Sequence, residues 1–207
     1  MLAVRSERDL TAALGPSHLG ARPLQREAVR ALAAQLLEHW RELIPVVSPR
    51  AGEGRTTLAV ALARKLAGLG ARTLLVDADL RRPSIHERFG LANERGLADL
   101  LEGRGVRLAP ALANLAVLPA GRSREYPLEL LSRPRLREFL RAACGPFRAV
   151  VIDTPAAARG PDFEIFAAHA RGALVVVRPG EDARVLARLA RRLAFCRARP
   201  ITALFRT

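Results

Sequence analysis

Val46-Val47-Ser48-Pro49-Arg50-Ala51-Gly52-Glu53-Gly54-Arg55-Thr56-Thr57 is the stretch that decides how this chain is read. It closes a short apolar run, Leu43-Ile44-Pro45-Val46-Val47, with a glycine-bearing loop and then gives way to a helical pattern from Thr56 to Leu69. A short apolar run ended by a turn reads as a buried strand, and Gly68 and Gly70 mark the helix exit. Thr73-Leu74-Leu75-Val76-Asp77 follows as a second buried strand. Strand, glycine loop, helix and strand together form the repeating unit of a parallel sheet, since parallel neighbours need a crossover between them.

The same alternation extends outward. Upstream, Leu24 to Trp40 carries Val29, Leu32, Leu36 and Leu37 at helical spacing, while Gly15, Pro16, Gly20 and Pro23 make residues 1–23 a loose lead-in. Downstream, short helices are expected around 85–89 and 97–101, longer ones at 134–143, 162–170 and 181–196, and strands at 115–118, 149–153, 173–177 and 201–205. The expectation is one α/β domain over 24–207, a mostly parallel sheet covered by helices on both faces. No internal repeat is evident.

Composition narrows the partners. The net charge is +14 and the pI about 11.6, which by itself points to nucleic acid or an anionic surface. Lys65 is the only lysine, however, and the arginines are scattered through Ala- and Leu-rich segments, so a compositional bias explains the charge equally well. Without aromatic interleaving or a reader motif, no nucleic-acid partner is expected. Cys144 and Cys196 lack metal-ligand spacing and read as buried thiols. No apolar run reaches the length of a membrane span, so a cytoplasmic chain is expected, meeting the inner face of the plasma membrane only peripherally.

In an open parallel sheet, ligands bind where strands end and loops leave for the helices. Gly52 and Gly54 there can turn backbone N–H groups toward a phosphate, and the next helix adds its positive dipole end. Thr56 holds the position whose hydroxyl would ligate Mg²⁺. Set against G-x-x-x-x-G-K-[ST], Pro49 replaces the first Gly and Arg55 the Lys. Asp77 and Asp79 close the second strand, and Asp153 closes Ala149-Val150-Val151-Ile152-Asp153. Each Asp alone could be a cap or turn residue; together with the loop they form an Mg²⁺-and-phosphate constellation.

These stretches, with Thr73 to Pro83 and Val150 to Pro155, resemble the bacterial tyrosine kinase family, MinD/ParA-like P-loop proteins, most of all the chain-length-determinant kinases of exopolysaccharide clusters. The resemblance runs from about Gln25 to the end and takes in Gly96-Leu97-Ala98-Asp99-Leu100-Leu101-Glu102-Gly103. It implies a three-layer P-loop NTPase fold, with ATP and Mg²⁺ as cofactors. It further implies that Gly52, Glu53, Gly54, Arg55, Thr56 and Thr57 hold the phosphates and that Thr56, Asp77, Asp79 and Asp153 arrange the metal. Arg55, Asp77 and Asp79 are the catalytic candidates, with Asp77 receiving the acceptor proton. Arg81 and Arg82 either face phosphate or acceptor peptide, or form a solvated turn. The implied partners are a membrane-embedded chain-length determinant and further copies of the chain.

The sequence also departs from the family pattern. Arg is a planar fork where Lys is a compact charge, so binding and turnover need not survive together. The family's carboxyl-terminal tyrosine cluster is absent; Tyr126 is the single tyrosine, which puts the expected acceptor on another chain. In the Glu-x-x-Arg-x-x-Arg pattern linked to ring assembly, Glu27 and Arg30 match but Ala33 stands in the last position. Leu204-Phe205-Arg206-Thr207 holds no Asn for the adenine. The readings are therefore a tyrosine kinase and ATPase, a catalytically weakened nucleotide-binding or docking module of the same complex, or a MinD/ParA-like positioning ATPase. Against the last, Arg50 is the only basic residue near that group's signature lysine.

Overall fold

The computed structural model describes Asp9 and residues 21–23, 26–39 and 42–205. Its strands are β1 (Ala21–Pro23), β2 (Glu42–Val47), β3 (Thr73–Asp77), β4 (Ala109–Leu112), β5 (Leu115–Leu118), β6 (Ala149–Asp153), β7 (Gly172–Val177) and β8 (Arg199–Phe205). Its helices are α1 (Arg26–His39), α2 (Arg55–Gly68), α3 (Ile85–Arg88), α4 (Leu97–Leu101), α5 (Pro127–Leu131), α6 (Pro134–Cys144), α7 (Asp162–Ala170) and α8 (Ala183–Phe195), with a 3₁₀ turn at Ala157–Arg159. The strands form one sheet in the order β1-β8-β7-β2-β6-β3-β5-β4, parallel except where β4 returns against β5.

The apolar runs are continuous because both faces of each central strand are covered. Ile44, Val46, Leu75, Val151, Leu174 and Val176 pack on one face with Val29, Leu32 and Leu36 of α1 and Leu58, Leu62 and Leu66 of α2. Leu74, Val76, Val150 and Ile152 point the other way, against Leu97 and Leu101 of α4, Leu136 and Leu140 of α6 and Phe166 of α7. Val47, Val175 and Val177 extend that second layer beneath Phe163 of α7 and Leu186, Leu189 and Leu193 of α8.

Three elements correct or extend the sequence reading. Ala21–Pro23, placed in the loose lead-in, pair in parallel with Ala203–Phe205 as an edge strand. Such a short segment ending in Pro has no periodicity to read, and an edge is where a strand proline is tolerated. β4 and α5 were not anticipated either. β4 carries Pro110 and a register shift, and α5 is a single turn started by Pro127. Residues 1–8, 10–20, 24–25, 40–41 and 206–207 lie outside the described residues, as therefore do most of the lead-in, both ends of the expected Leu24 to Trp40 helix and the end of the adenine-side segment. Ala33 is fully buried, which explains why a small residue stands where the assembly pattern has Arg.

Candidate functional site

The parallel register brings the anticipated residues to one end of the sheet. Asp77 lies opposite Asp153 across β3 and β6, and Val46 of β2 is level with Asp153. The loop from Ser48 therefore leaves β2 beside both carboxylates. Gly52 and Gly54 take φ values of 80° and 93°, the left-handed region that favours glycine. Gly54 is the N-cap of α2 and offers no side-chain cap, and no acidic residue sits in the first turn. The first N–H groups of α2 thus keep their capacity for an anion.

Thr56 Oγ1 donates to Asp153 Oδ2 at 2.6 Å. Arg55 is only 7% exposed and turns inward. Its Nη1 donates to Ser48 Oγ at 2.8 Å, its Nη2 lies 3.5 Å from Asp79 Oδ2, and its Nε lies 4.0 Å from Asp153 Oδ1. Arg159, from the 3₁₀ turn after β6, adds a second cation 3.3 Å from Asp79 Oδ2. Asp77 is spent on the backbone: Oδ2 accepts the N–H groups of Ser84 and Ile85 at 3.0 and 2.9 Å, and Oδ1 that of Asp79 at 3.2 Å. It fixes the turn that presents Asp79.

Burial sets the electrostatics. It lifts the Asp153 carboxyl to about 7, helped by neighbouring Asp77 and opposed by the Thr56 hydrogen bond and Arg55. It lifts Asp77 to about 6 against the pull of its three backbone donors. The same burial lowers Arg55, which Asp153 and Asp79 partly offset. Glu53, 2% exposed, is raised to about 8 by burial and by a hydrogen bond with Glu181. The loop before α8 clasps the phosphate-type loop at two further points: Arg50 Nε reaches Glu181 Oε2 at 3.0 Å, and Arg178 Nη2 donates to Gly52 O at 2.8 Å.

Asp153 Oδ1 is buried and accepts no hydrogen bond, so this carboxylate has coordination capacity to spare. Among the described residues no three His, Cys, Asp or Glu side chains form a metal cage. Mg²⁺ does not need one, since one or two carboxylates with waters and phosphate oxygens suffice. The Thr56 hydroxyl and Asp153 carboxylate are hard oxygen donors of that kind, so the residues present fit the ion.

The structure thus gathers Arg55, Thr56, Asp79 and Asp153, with Asp77 behind them. Thr57 is exposed, Glu53 faces Glu181, and Arg82 is exposed. Arg81 turns to Asp162, with Nε donating to Oδ2 at 2.6 Å. Ser48, Arg159, Arg178 and Glu181 were not assigned roles from the sequence. The last three come from loops far along the chain with no motif of their own, and only the sheet order brings them here. A groove of about 300 Å³ opens beside the loop between Pro49, Arg50, Ala158 and Arg188. The larger cavity, about 720 Å³ around Cys144 and Arg72, lies away from these residues, at the opposite end of the sheet.

A central strand, a glycine loop with an N-terminal helix end and a hydroxyl–carboxylate pair define a P-loop nucleotide-binding domain, and residues 44–194 match the family model for the CobQ/CobB/MinD/ParA nucleotide binding domain. Tyrosine-protein kinase YwqD of Bacillus subtilis is 34% identical over 78% of this chain and 70% of its own length. Within that broad class, the chain belongs to the bacterial tyrosine kinase family. The succinoglycan biosynthesis transport protein ExoP of Rhizobium meliloti is 34% identical over 70% of this chain, which spans only 20% of that longer protein. The kinase domain of Escherichia coli tyrosine kinase ETK superposes with a TM-score of 0.80 at 28% identity, over 87% of this chain and 74% of that one.

Proposed function

We propose that the chain is an ATP-dependent protein-tyrosine kinase and ATPase that regulates exopolysaccharide chain length and export. In this reading it works with a membrane-embedded chain-length determinant, assembles with further copies of itself, and reaches the inner face of the plasma membrane through that partner. The observation that carries the reading is the Thr56–Asp153 pair at 2.6 Å, set beneath a loop whose two glycines have positive φ. Among the described residues no helix is long and apolar enough to cross a membrane, in keeping with a membrane contact made through another protein.

The roles follow from what each group touches. Backbone N–H groups between Gly52 and Thr56 hold the phosphates, and Thr57 supports the start of α2. Thr56 and Asp153 hold Mg²⁺, which when bound neutralises phosphate charge. Arg55 leaves Ser48 for phosphate oxygens, a move of one side chain whose guanidinium already lies at the loop. Asp77 was expected to receive the acceptor proton, but its oxygens already accept three backbone N–H groups; in this reading it positions Asp79, and Asp79 accepts the proton of the tyrosine hydroxyl. Arg159 keeps the Asp79 carboxylate oriented.

A second reading has its own observation. Arg55 is held inward by Ser48, Asp79 and Asp153 at 2.8, 3.5 and 4.0 Å, an arrangement that satisfies the acidic residues without nucleotide. A chain resting in that state binds nucleotide weakly or docks on its partner with little turnover. Mg-ATP binding and ADP release by the protein, Arg55→Lys and Asp79→Asn separate the two. Turnover by the unaltered chain that Asp79→Asn abolishes supports the kinase. Binding without turnover, rescued by Arg55→Lys, supports the weakened module. Failure of all three proteins to bind nucleotide sinks both.

A further inference from the structure

Tyr126 is the chain's only tyrosine and stands immediately before α5, 60% exposed. An exposed tyrosine needs no explanation on its own. Its neighbour does. The Arg81 guanidinium lies 5.2 Å from the ring centroid and is anchored from behind by Asp162, Nε to Oδ2 at 2.6 Å and Nη2 to Oδ1 at 3.2 Å. Asp162 is 1% exposed, so the fork is fixed in place by a buried carboxylate. Two of its five N–H donors are used there and another faces the phenol oxygen itself, which leaves donors beside the hydroxyl for a ligand. Arg122 and Arg124 are exposed just upstream, while the one adjacent acid, Glu125, is taken by Arg133 at 2.5 Å. The surroundings of the hydroxyl are therefore cationic and preorganised, a setting that a neutral phenol does not require.

The same arginine is wired to the nucleotide site. It follows Asp79 by two residues, and Gly160, next to Arg159, lies against its guanidinium, where an added Cβ would sit 3.5 Å from Nη2. Arg159 in turn reaches Asp79 at 3.3 Å. Asp162, Gly160 and Arg159 thus form a single loop that touches both Arg81 and the acidic centre.

We propose that Tyr126 is a phosphoryl-acceptor site of this chain and that Arg81 clamps the resulting phosphate. The proposal rests on the kinase reading above and names an acceptor on this chain, where the missing tyrosine cluster had pointed to a different one. The phenolic oxygen forms a bond to the γ-phosphorus of a nucleoside triphosphate, the bond from that phosphorus to the β-bridging oxygen breaks, and the nucleoside diphosphate leaves with the electron pair. The phenolic proton goes to a carboxylate of the donor site. The product dianion draws on Arg81, so it competes with Asp162 for the fork and loosens the loop that carries Arg159. Phosphorylation at the rim is thereby felt at Asp79.

The full chain and Tyr126→Phe are incubated with Mg-ATP and a Glu/Tyr copolymer, and phosphate is mapped by mass spectrometry. Phosphate on Tyr126, absent from Tyr126→Phe while the variant still modifies the copolymer, is the expected result. A modified copolymer with Tyr126 bare overturns the proposal and leaves the kinase reading standing. Neither acceptor modified overturns the kinase reading and this proposal with it. For the clamp, phosphotyrosine is placed at 126 by translational incorporation and titrated by phosphorus NMR, with Arg81 and with Arg81→Gln. A second phosphate pKa at least about half a unit lower with Arg81 present is expected. Equal values in the two proteins overturn the clamp.

Discussion

Arg55 occupies the position where a P-loop has its lysine, and the fork geometry explains both how it is accommodated and what replacing it does. Buried at 7% exposure between Asp79, Asp153 and Ser48, it is the counter-charge of the acidic centre. Removing one partner of a buried ion pair costs on the order of 3 kcal/mol, so Arg55→Met lowers urea stability by about that amount, and Arg55→Lys by less. Urea unfolding of the three proteins at one pH checks this.

Asp153 and Asp77 make a second prediction at the residue scale. Their carboxyls rise from an ordinary 3.8 to about 7 and about 6, so the folded protein binds protons more tightly than the unfolded chain. Their contribution to stability is whole below about pH 4 and is lost as pH rises through 6 and 7. These two groups together take on the order of 4 kcal/mol from the nucleotide-free protein between pH 5 and pH 8, the raised Glu53 adds to the loss in the same direction, and Asp153→Asn flattens the slope. Urea midpoints across that range measure it.

Which site residues were legible depended on where they sit in the chain. Asp77 and Asp153 end apolar runs that announce themselves as strands, and Thr56 begins the helix after the glycine loop that closes a third, so their position at the carboxyl end of the sheet followed from the pattern. The division of labour among the acids did not. That Asp77 accepts backbone N–H groups from Ser84 and Ile85 depends on a turn with no sequence signature. Arg159 was invisible because its partner lies 80 residues away.

At the scale of elements, the buried strands β2, β3, β6 and β7 were readable because covering both faces leaves no polar alternation to confuse the period. β1, β4 and α5 were not, being short segments that proline interrupts or begins. The close approach of α4 to the sheet was also hidden. Gly96 is extended, with φ −173°, so its backbone demands no glycine. Yet a Cβ there would fall 2.0 Å from Pro119 O and 2.4 Å from Gly121 N, both backbone atoms that cannot swing aside. Gly96→Ala is expected to cost about 2 kcal/mol by overpacking, read as a lowered thermal midpoint with the far-ultraviolet spectrum kept.

Gly54 is a different case. Its φ of 93° is strained for any side chain, and it caps the N-terminus of α2 at the end of the glycine loop. Gly54→Ala costs about 1 kcal/mol in the free protein and weakens nucleotide binding by a larger factor, because the N–H groups of the cradle turn with it. Comparing the thermal shift with the change in Mg-ATP affinity separates the two effects.

For the whole molecule, ligand linkage tests the site without reference to chemistry. A nucleotide that binds only the folded chain raises stability by about 2.7 kcal/mol at a hundredfold excess over Kd. Mg-ATP is expected to do so here, and Asp153→Asn to reduce the effect of Mg²⁺ more than that of nucleotide alone. Denaturation with ATP, with and without Mg²⁺, reads the difference.

The two margins of the sheet carry a consequence for how copies can meet. One outer strand is β1, three residues ending in Pro23; the other is β4, reversed, bulged and carrying Pro110. A proline supplies no ladder donor and a register shift disturbs the ladder, so both borders are poor templates for a neighbour's strand. Among the described residues, neither border favours a sheet shared between copies. A higher-order arrangement of copies is therefore expected to be stitched through helix faces and loops, which come apart and re-form without unzipping backbone.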